Sequence, residues 1–104
     1  MPEDAARLAA TLQAVAQTAQ QAAPLVSSLE TALRERVAEM RAFEFEERDA
    51  ITTECKRAAD ALAKASDALA KLWSPLRDGL LAATTSRFVR DQIAEVSAGH
   101  EAES

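Results

Sequence analysis

The stretch from Leu25 to Trp73 limits the fold of this chain more than any other, because its 49 residues contain no glycine and no proline. Acidic and basic side chains are interleaved along it, and apolar residues recur at helical spacing. This pattern is typical of amphipathic helices, since glycine and proline are the residues least tolerated inside a helix. The stretch therefore predicts an all-α protein with one long helix, or two helices in line, at its centre.

Composition favours a thin helical bundle over a globule with a large core. Hydrophobic residues make up 48% of the 104 residues, but there are only three Phe, one Trp and two Met, and no Tyr. Short domains bury a small fraction of their surface, so a core this poor in large side chains often needs a second chain to complete it. We therefore expect an elongated helical bundle or coiled coil, with a single domain over 1–98 and a disordered tail at 99–104.

Breaks in the pattern predict about three helices, at roughly 3–23, 25–73 and 75–98. Pro24 is expected to end or kink the first helix, because proline removes a helical hydrogen bond. Ser74 and Pro75 suit the N-cap and first position of the third helix. Side chains of residues 84–86 compete for backbone hydrogen bonds and weaken that helix, and Gly99 is a good stop for it.

Two apolar seams predict which residues form the core. Their members recur at alternating spacings of three and four, which is the heptad pattern of packed helices. The second seam begins after Ala50, in a register shifted by one residue from the first. The predicted core residues are Leu8, Leu12, Val15, Leu29, Leu33 and Met40 in the first seam, and Ile51, Leu62, Leu69, Leu72 and Leu76 in the second.

The segment between the two seams allows two architectures. Glu44 and Glu47 fall there on the core-facing side, which suits the tip of an antiparallel αα-hairpin near 43–49. The alternative is a continuous helix whose apolar stripe shifts in phase. The absence of glycine, proline and asparagine, and the favourable i,i+4 pair of Glu44 with Arg48, favour the continuous helix.

The first helix carries no charge between Leu8 and Leu29, which is unusual for a surface helix. Its outer face holds Gln13, Gln17 and Gln20, and this face is either simply solvated or packs against a partner. Trp73 and Phe88 are the best aromatic anchors for an interface, because buried aromatic residues carry much interface energy. The alternative for both aromatic residues is a place in the core of the chain itself. These five are the candidate partner-binding residues.

Charge and residue types exclude several classes of function. A net charge of -5 argues against a nucleic-acid partner. The uncharged run is too rich in glutamine to span a membrane. The single Cys55 excludes an internal disulfide, fits a reducing, cytoplasmic location, and suits a small buried residue better than a reactive thiol. With His100 the only histidine, in the expected tail, we predict no catalytic residues, no metal site and no cofactor.

We therefore expect a non-enzymatic helical assembly or scaffold subunit that acts through coiled-coil or bundle protein–protein contacts. Its partners would be proteins, in a homo-oligomer or in a hetero-complex with other helical chains. The alternative is a small chaperone-like or regulatory binding protein that holds one partner through its uncharged first helix.

Overall fold

The computed structural model describes residues 2–103, with side chains over residues 3–100. The described residues form four helices, α1 (Pro2–Met40), α2 (Arg48–Ala70), α3 (Trp73–Ala83) and α4 (Arg87–Glu103), and contain no strand. The predicted all-α helical bundle is therefore confirmed.

The helix boundary predicted at Pro24 is wrong, because α1 continues through this residue. A proline inside a helix removes the hydrogen bond to the carbonyl four residues earlier, here that of Gln20, at a cost of about 3 kcal/mol. Packing beside the proline offsets this cost. Ala23 is buried, and its carbonyl accepts a hydrogen bond of 2.9 Å from Ser66 Oγ. Ser28 Oγ also donates to the carbonyl of Pro24 at 2.9 Å.

A turn over residues 41–47 joins α1 to α2, so the hairpin alternative is confirmed and the continuous helix over 25–73 is wrong. Arg48 closes this turn, since its guanidinium donates to the carbonyls of Arg41 and Phe43 at 3.1 and 2.9 Å. These carbonyls follow the end of α1, where a helix leaves acceptors without partners. The turn also leaves Glu44 and Glu47 exposed, whereas a continuous helix would place them on its core-facing side.

The predicted third helix, 75–98, is in fact two helices separated by residues 84–86. Local hydroxyl groups produce this break. Thr84 Oγ1 accepts a hydrogen bond from the N–H of Ser86 at 3.2 Å, and Ser86 Oγ accepts one from the N–H of Val89 at 3.4 Å. The second contact is the arrangement of an N-cap serine, so Ser86 caps the N-terminus of α4.

The outer ends of these two helices also differ from the prediction. α3 begins at Trp73, ahead of Pro75, and Leu72 occupies its N-cap position without a side-chain hydrogen bond. The stop predicted at Gly99 is wrong, because α4 continues to Glu103. Gly99 does not adopt the positive φ with which a glycine ends a helix. Within the predicted disordered tail 99–104, only Ser104 lies outside the described residues.

The chain divides into two compact units, one formed by residues up to Gln20 together with those from Lys71 onward, the other by Gln21–Ala70. The prediction of a single domain over 1–98 stays a prediction. In the first unit, α3, α4 and the start of α1 surround Trp73. The buried core there consists of Leu12, Ala16, Trp73, Ile93 and Val96, with Leu8, Ala9, Leu76, Leu80, Leu81 and Val89 packed against it.

The second unit is the α1–α2 hairpin. Its helices are antiparallel, because the start of one helix contacts the end of the other. Ala23 contacts Ser66, whereas Arg41, just after α1, contacts Arg48 at the start of α2. In each contact the two residue numbers add up to 89, which defines the register of the hairpin. Small side chains occupy the contact line between the helices, and Ala59 is completely buried. Small residues allow two helices to approach closely, since the distance between axes depends on the side chains at the contact.

Three predicted core residues lie at the surface instead: Val15, Leu29 and Ile51 are 44%, 57% and 41% exposed. The prediction selected large apolar residues, whereas the contact lines follow smaller neighbours such as Ala16 and Thr52, which are 2% and 8% exposed. The remaining predicted core residues are half-buried, namely Leu8, Leu33, Met40, Leu62, Leu69, Leu72 and Leu76, or buried, namely Leu12.

Candidate functional site

The apolar seam of α2 does not coincide with the line along which α2 contacts α1. The contact line runs through Thr52 and Ala59, both buried. The seam residues Ile51 and Ala58 each precede a contact residue by one position, or about 100° around the helix. Both are exposed, and Cys55 between them is half-buried. The first part of the seam, Ile51 to Ala58, therefore lies on the flank of the hairpin, where the described residues of this unit leave it open.

This flank forms a groove of about 530 Å³ between the two helices. Leu33 of α1 forms one wall, and the other wall is formed mostly by α2, with the lining residues Glu47, Ala50, Ile51, Glu54, Cys55 and Ala58. Leu29, one helical turn before Leu33, is 57% exposed and extends the apolar surface along α1. Apolar grooves of this kind accept the apolar face of another helix.

Charged residues of opposite sign border the two walls of the groove. On the α2 side, Glu54 and, in the turn just before α2, Glu47 are among the lining residues. On the α1 side, Arg36 follows Leu33 by three residues, so it lies on the same side of the helix. Arg36 is paired with Glu39 at 3.0 Å, and Glu54 with Arg57 at 2.8 Å. All four side chains are more than half exposed, so these pairs are weak and remain open to other partners.

The opposite flank of the hairpin is polar. Arg34 binds Glu30 of its own helix at 2.7 Å and Asp60 of α2 at 2.9 Å. The hydrogen bonds to Glu30 and then to Asp60 raise the pKa of Arg34 above its ordinary value. Arg41 and Lys56 share this flank with Arg34. The hairpin thus has one apolar and one charged flank, which is the pattern of an element that packs on one side only.

Trp73 belongs to the core of the first unit and is 4% exposed, which is the place that the alternative interpretation gave it. Its ring lies 5.8 Å from the ring of His100. The amide nitrogen of Gln20 lies 3.3 Å from Nε2 of the same histidine. The structure therefore brings Gln20 and Trp73 together around His100, which the sequence placed in a disordered tail.

The other candidate residues lie at the surface. Gln13 and Gln17 are exposed, and Phe88 is 48% exposed. None of these three residues lines the apolar groove of the hairpin. The sequence contained the signal for that groove in its second seam, but the seam was interpreted as the core of the chain.

Among the described residues, no group of three or more His, Cys, Asp or Glu side chains has an arrangement that holds a metal ion. No helix in the described part of the chain has the length and apolar character that crossing a membrane requires.

Comparison with known proteins gives no relative: no family model, no curated protein and no solved structure matches this chain.

Proposed function

We propose that this chain is a non-enzymatic helical subunit that acts by binding protein through the apolar groove of its α1–α2 hairpin. One observation carries the proposal: the groove is apolar and open, and its α2 wall contains Ile51, Cys55 and Ala58, the first residues of the second apolar seam. Soluble chains rarely leave such a seam exposed, and large apolar patches with a polar border usually mark interaction sites.

The energetics also support a binding role. Burying one side chain of the size of leucine or isoleucine stabilises a complex by about 1.5–3 kcal/mol. Because Leu29, Leu33 and Ile51 are already partly buried in the single chain, together they contribute only part of the free energy that offsets the cost of association, and further contacts along the groove must supply the rest. A partner in this groove would be helical, because the groove lies between two helices and runs along them.

The alternative, a regulatory or chaperone-like binder that uses the uncharged first helix, has less support. Gln20 is half-buried and lies against His100 within the same unit, so its side chain already has a hydrogen-bond partner within the chain. Gln13 and Gln17 offer polar side chains, whose desolvation offsets much of what contact would contribute. The free thiol of Cys55 suits the cytoplasmic location that we propose for either role.

Two matched variants test the proposal, because Ile51→Glu places a carboxylate in the groove and Thr53→Glu places one on the exposed, polar flank two residues later. A charge buried without a partner costs several kcal/mol. In an extract of the cells that make this protein, the tagged parent chain and Thr53→Glu should elute in a complex larger than the 11.2 kDa monomer. Ile51→Glu should elute as the monomer with unchanged helicity. Equal elution of all three would overturn the proposal.

A further inference from the structure

We infer that the occupant of the groove is a second copy of this chain, and that two hairpins close face to face into a four-helix bundle. The inference rests on the proposed function, since it names the partner of the same groove. It follows from three features of the hairpin: the direction of its helices, the positions along the helix axes of the charged residues that border the groove, and the position of its exposed phenylalanines.

Helix direction makes the groove suitable for its own copy. If the two-fold axis runs parallel to the helices, each α1 lies beside the partner's α2, and all four neighbouring pairs are antiparallel. This is the up-down arrangement of common four-helix bundles. It also makes the interface isologous, so that the same surface serves both copies. The seam residues Leu33, Ile51 and Cys55 then become core residues of the bundle.

The border charges match in this arrangement. The hairpin register, in which residue numbers add up to 89, places Arg36 of α1 at nearly the same height as Glu54 of α2. In a copy related by an axis parallel to the helices, Arg36 therefore lies level with the partner's Glu54, and the pair occurs twice. Both side chains are more than half exposed in the single chain, so neither has to leave a buried position to form the new pair.

Two exposed aromatic residues agree with the same axis. Phe43 and Phe45, in the turn of the hairpin, are 53% and 43% exposed. An axis parallel to the helices brings both turns to the same end of the bundle, where the four phenylalanines lie close enough to shield one another from water. An axis perpendicular to the helices would place the two turns at opposite ends.

Charge reversal tests the inference with purified full-length chain. Sedimentation velocity at low salt, over a wide range of protein concentration, should show a dimer for the parent chain. Arg36→Glu and Glu54→Arg should each weaken dimerisation by about tenfold or more, because each variant places like charges opposite one another twice. An equimolar mixture of the two variants should recover dimers, since a mixed pair again joins opposite charges at both positions. Added salt should reduce all of these differences.

The outcomes separate this inference from the proposed function. A parent chain that stays monomeric at every concentration, while Ile51 still determines its complex in cell extracts, overturns the second copy as occupant but leaves the groove as a binding site. A dimer that the mixture of variants does not recover overturns the pairing of Arg36 with Glu54. Loss of both the dimer and the dependence on Ile51 overturns both proposals. Circular dichroism of each variant excludes unfolding as the cause.

Discussion

The indole N–H of Trp73 donates a hydrogen bond of 3.3 Å to the hydroxyl of Ser97, and both residues are buried. The guanidinium of Arg77 donates to the same oxygen at 3.3 Å. One serine thus accepts hydrogen bonds from two side chains of α3 and ties that helix to α4. Because Trp73 is the largest side chain of the first unit's core, this contact fixes the orientation of the group around which that core is packed.

Removing the acceptor should therefore destabilise the fold. Ser97→Ala leaves the buried indole N–H without its partner, which costs about 1–3 kcal/mol. Urea denaturation followed by circular dichroism measures this loss. On a Trp73→Phe background the same change should cost clearly less, because no indole donor is left to satisfy. Equal costs on both backgrounds would show that the Trp73–Ser97 contact contributes nothing.

The burial of alanine in α1 gives a second prediction. Ala16 is 2% exposed within the core of the first unit, whereas Val15 is 44% exposed. Ala16→Leu should overpack this core and lower the free energy of unfolding by about 1–3 kcal/mol. Val15→Leu introduces the same residue one position earlier and should change stability by less than about 0.5 kcal/mol. Denaturation curves with the reverse order would return Val15 to the core and displace Ala16.

These residues show how far the sequence predicts the fold. Helical periodicity and the distribution of glycine and proline identify the all-α class. The hairpin tip is indicated only by the core-facing positions of Glu44 and Glu47, whereas the absence of glycine and proline there favours a continuous helix. Core assignment by apolar size fails at Val15 and Ile51, because a helix contact depends on how closely two backbones approach, and small residues decide that. Periodicity also does not show which of two adjacent faces of a helix contacts its neighbour. It therefore predicts Ile51 in the core, whereas in the structure Ile51 lines the groove.

Helix ends were the least predictable part of the chain, for a related reason. In the last part of α4, the ring of His100 lies near Trp73 and Gln20, residues that are distant in sequence. Likewise, the turn after α1 depends on Arg48, which donates to carbonyls that precede it by five and seven residues. Helix propensity reflects only residues that are neighbours in sequence, so it does not include such contacts between distant residues.

An unpartnered hydroxyl in the hairpin provides a third prediction. Thr52 is 8% exposed, and among the described residues its Oγ1 has no hydrogen-bond partner. Thr52→Val keeps the shape and removes the buried polar atom, so it should raise the free energy of unfolding by about 1 kcal/mol. Thr53→Val is the control, since the Thr53 hydroxyl is exposed and donates to the carbonyl of Asp49 at 2.8 Å. A loss of stability in Thr52→Val would indicate that a water molecule satisfies this hydroxyl.

Pro24 gives the last prediction, because it interrupts the hydrogen bonds of α1 without ending the helix. Pro24→Ala restores an N–H that can donate to the carbonyl of Gln20, and it removes the clash of the proline ring with the preceding turn. Part of this gain is lost, since proline also restricts the unfolded chain by about 0.4–1 kcal/mol. We expect a net rise in the free energy of unfolding of about 1–2 kcal/mol, measured by urea denaturation at several protein concentrations. Ser27→Ala, at a nearby exposed position, isolates the effect of helix propensity and should raise stability by less than about 0.5 kcal/mol. If Pro24→Ala gains no more than Ser27→Ala, the proline is accommodated in α1 without cost, and the offset by the packing of Ala23 and Ser66 is not needed.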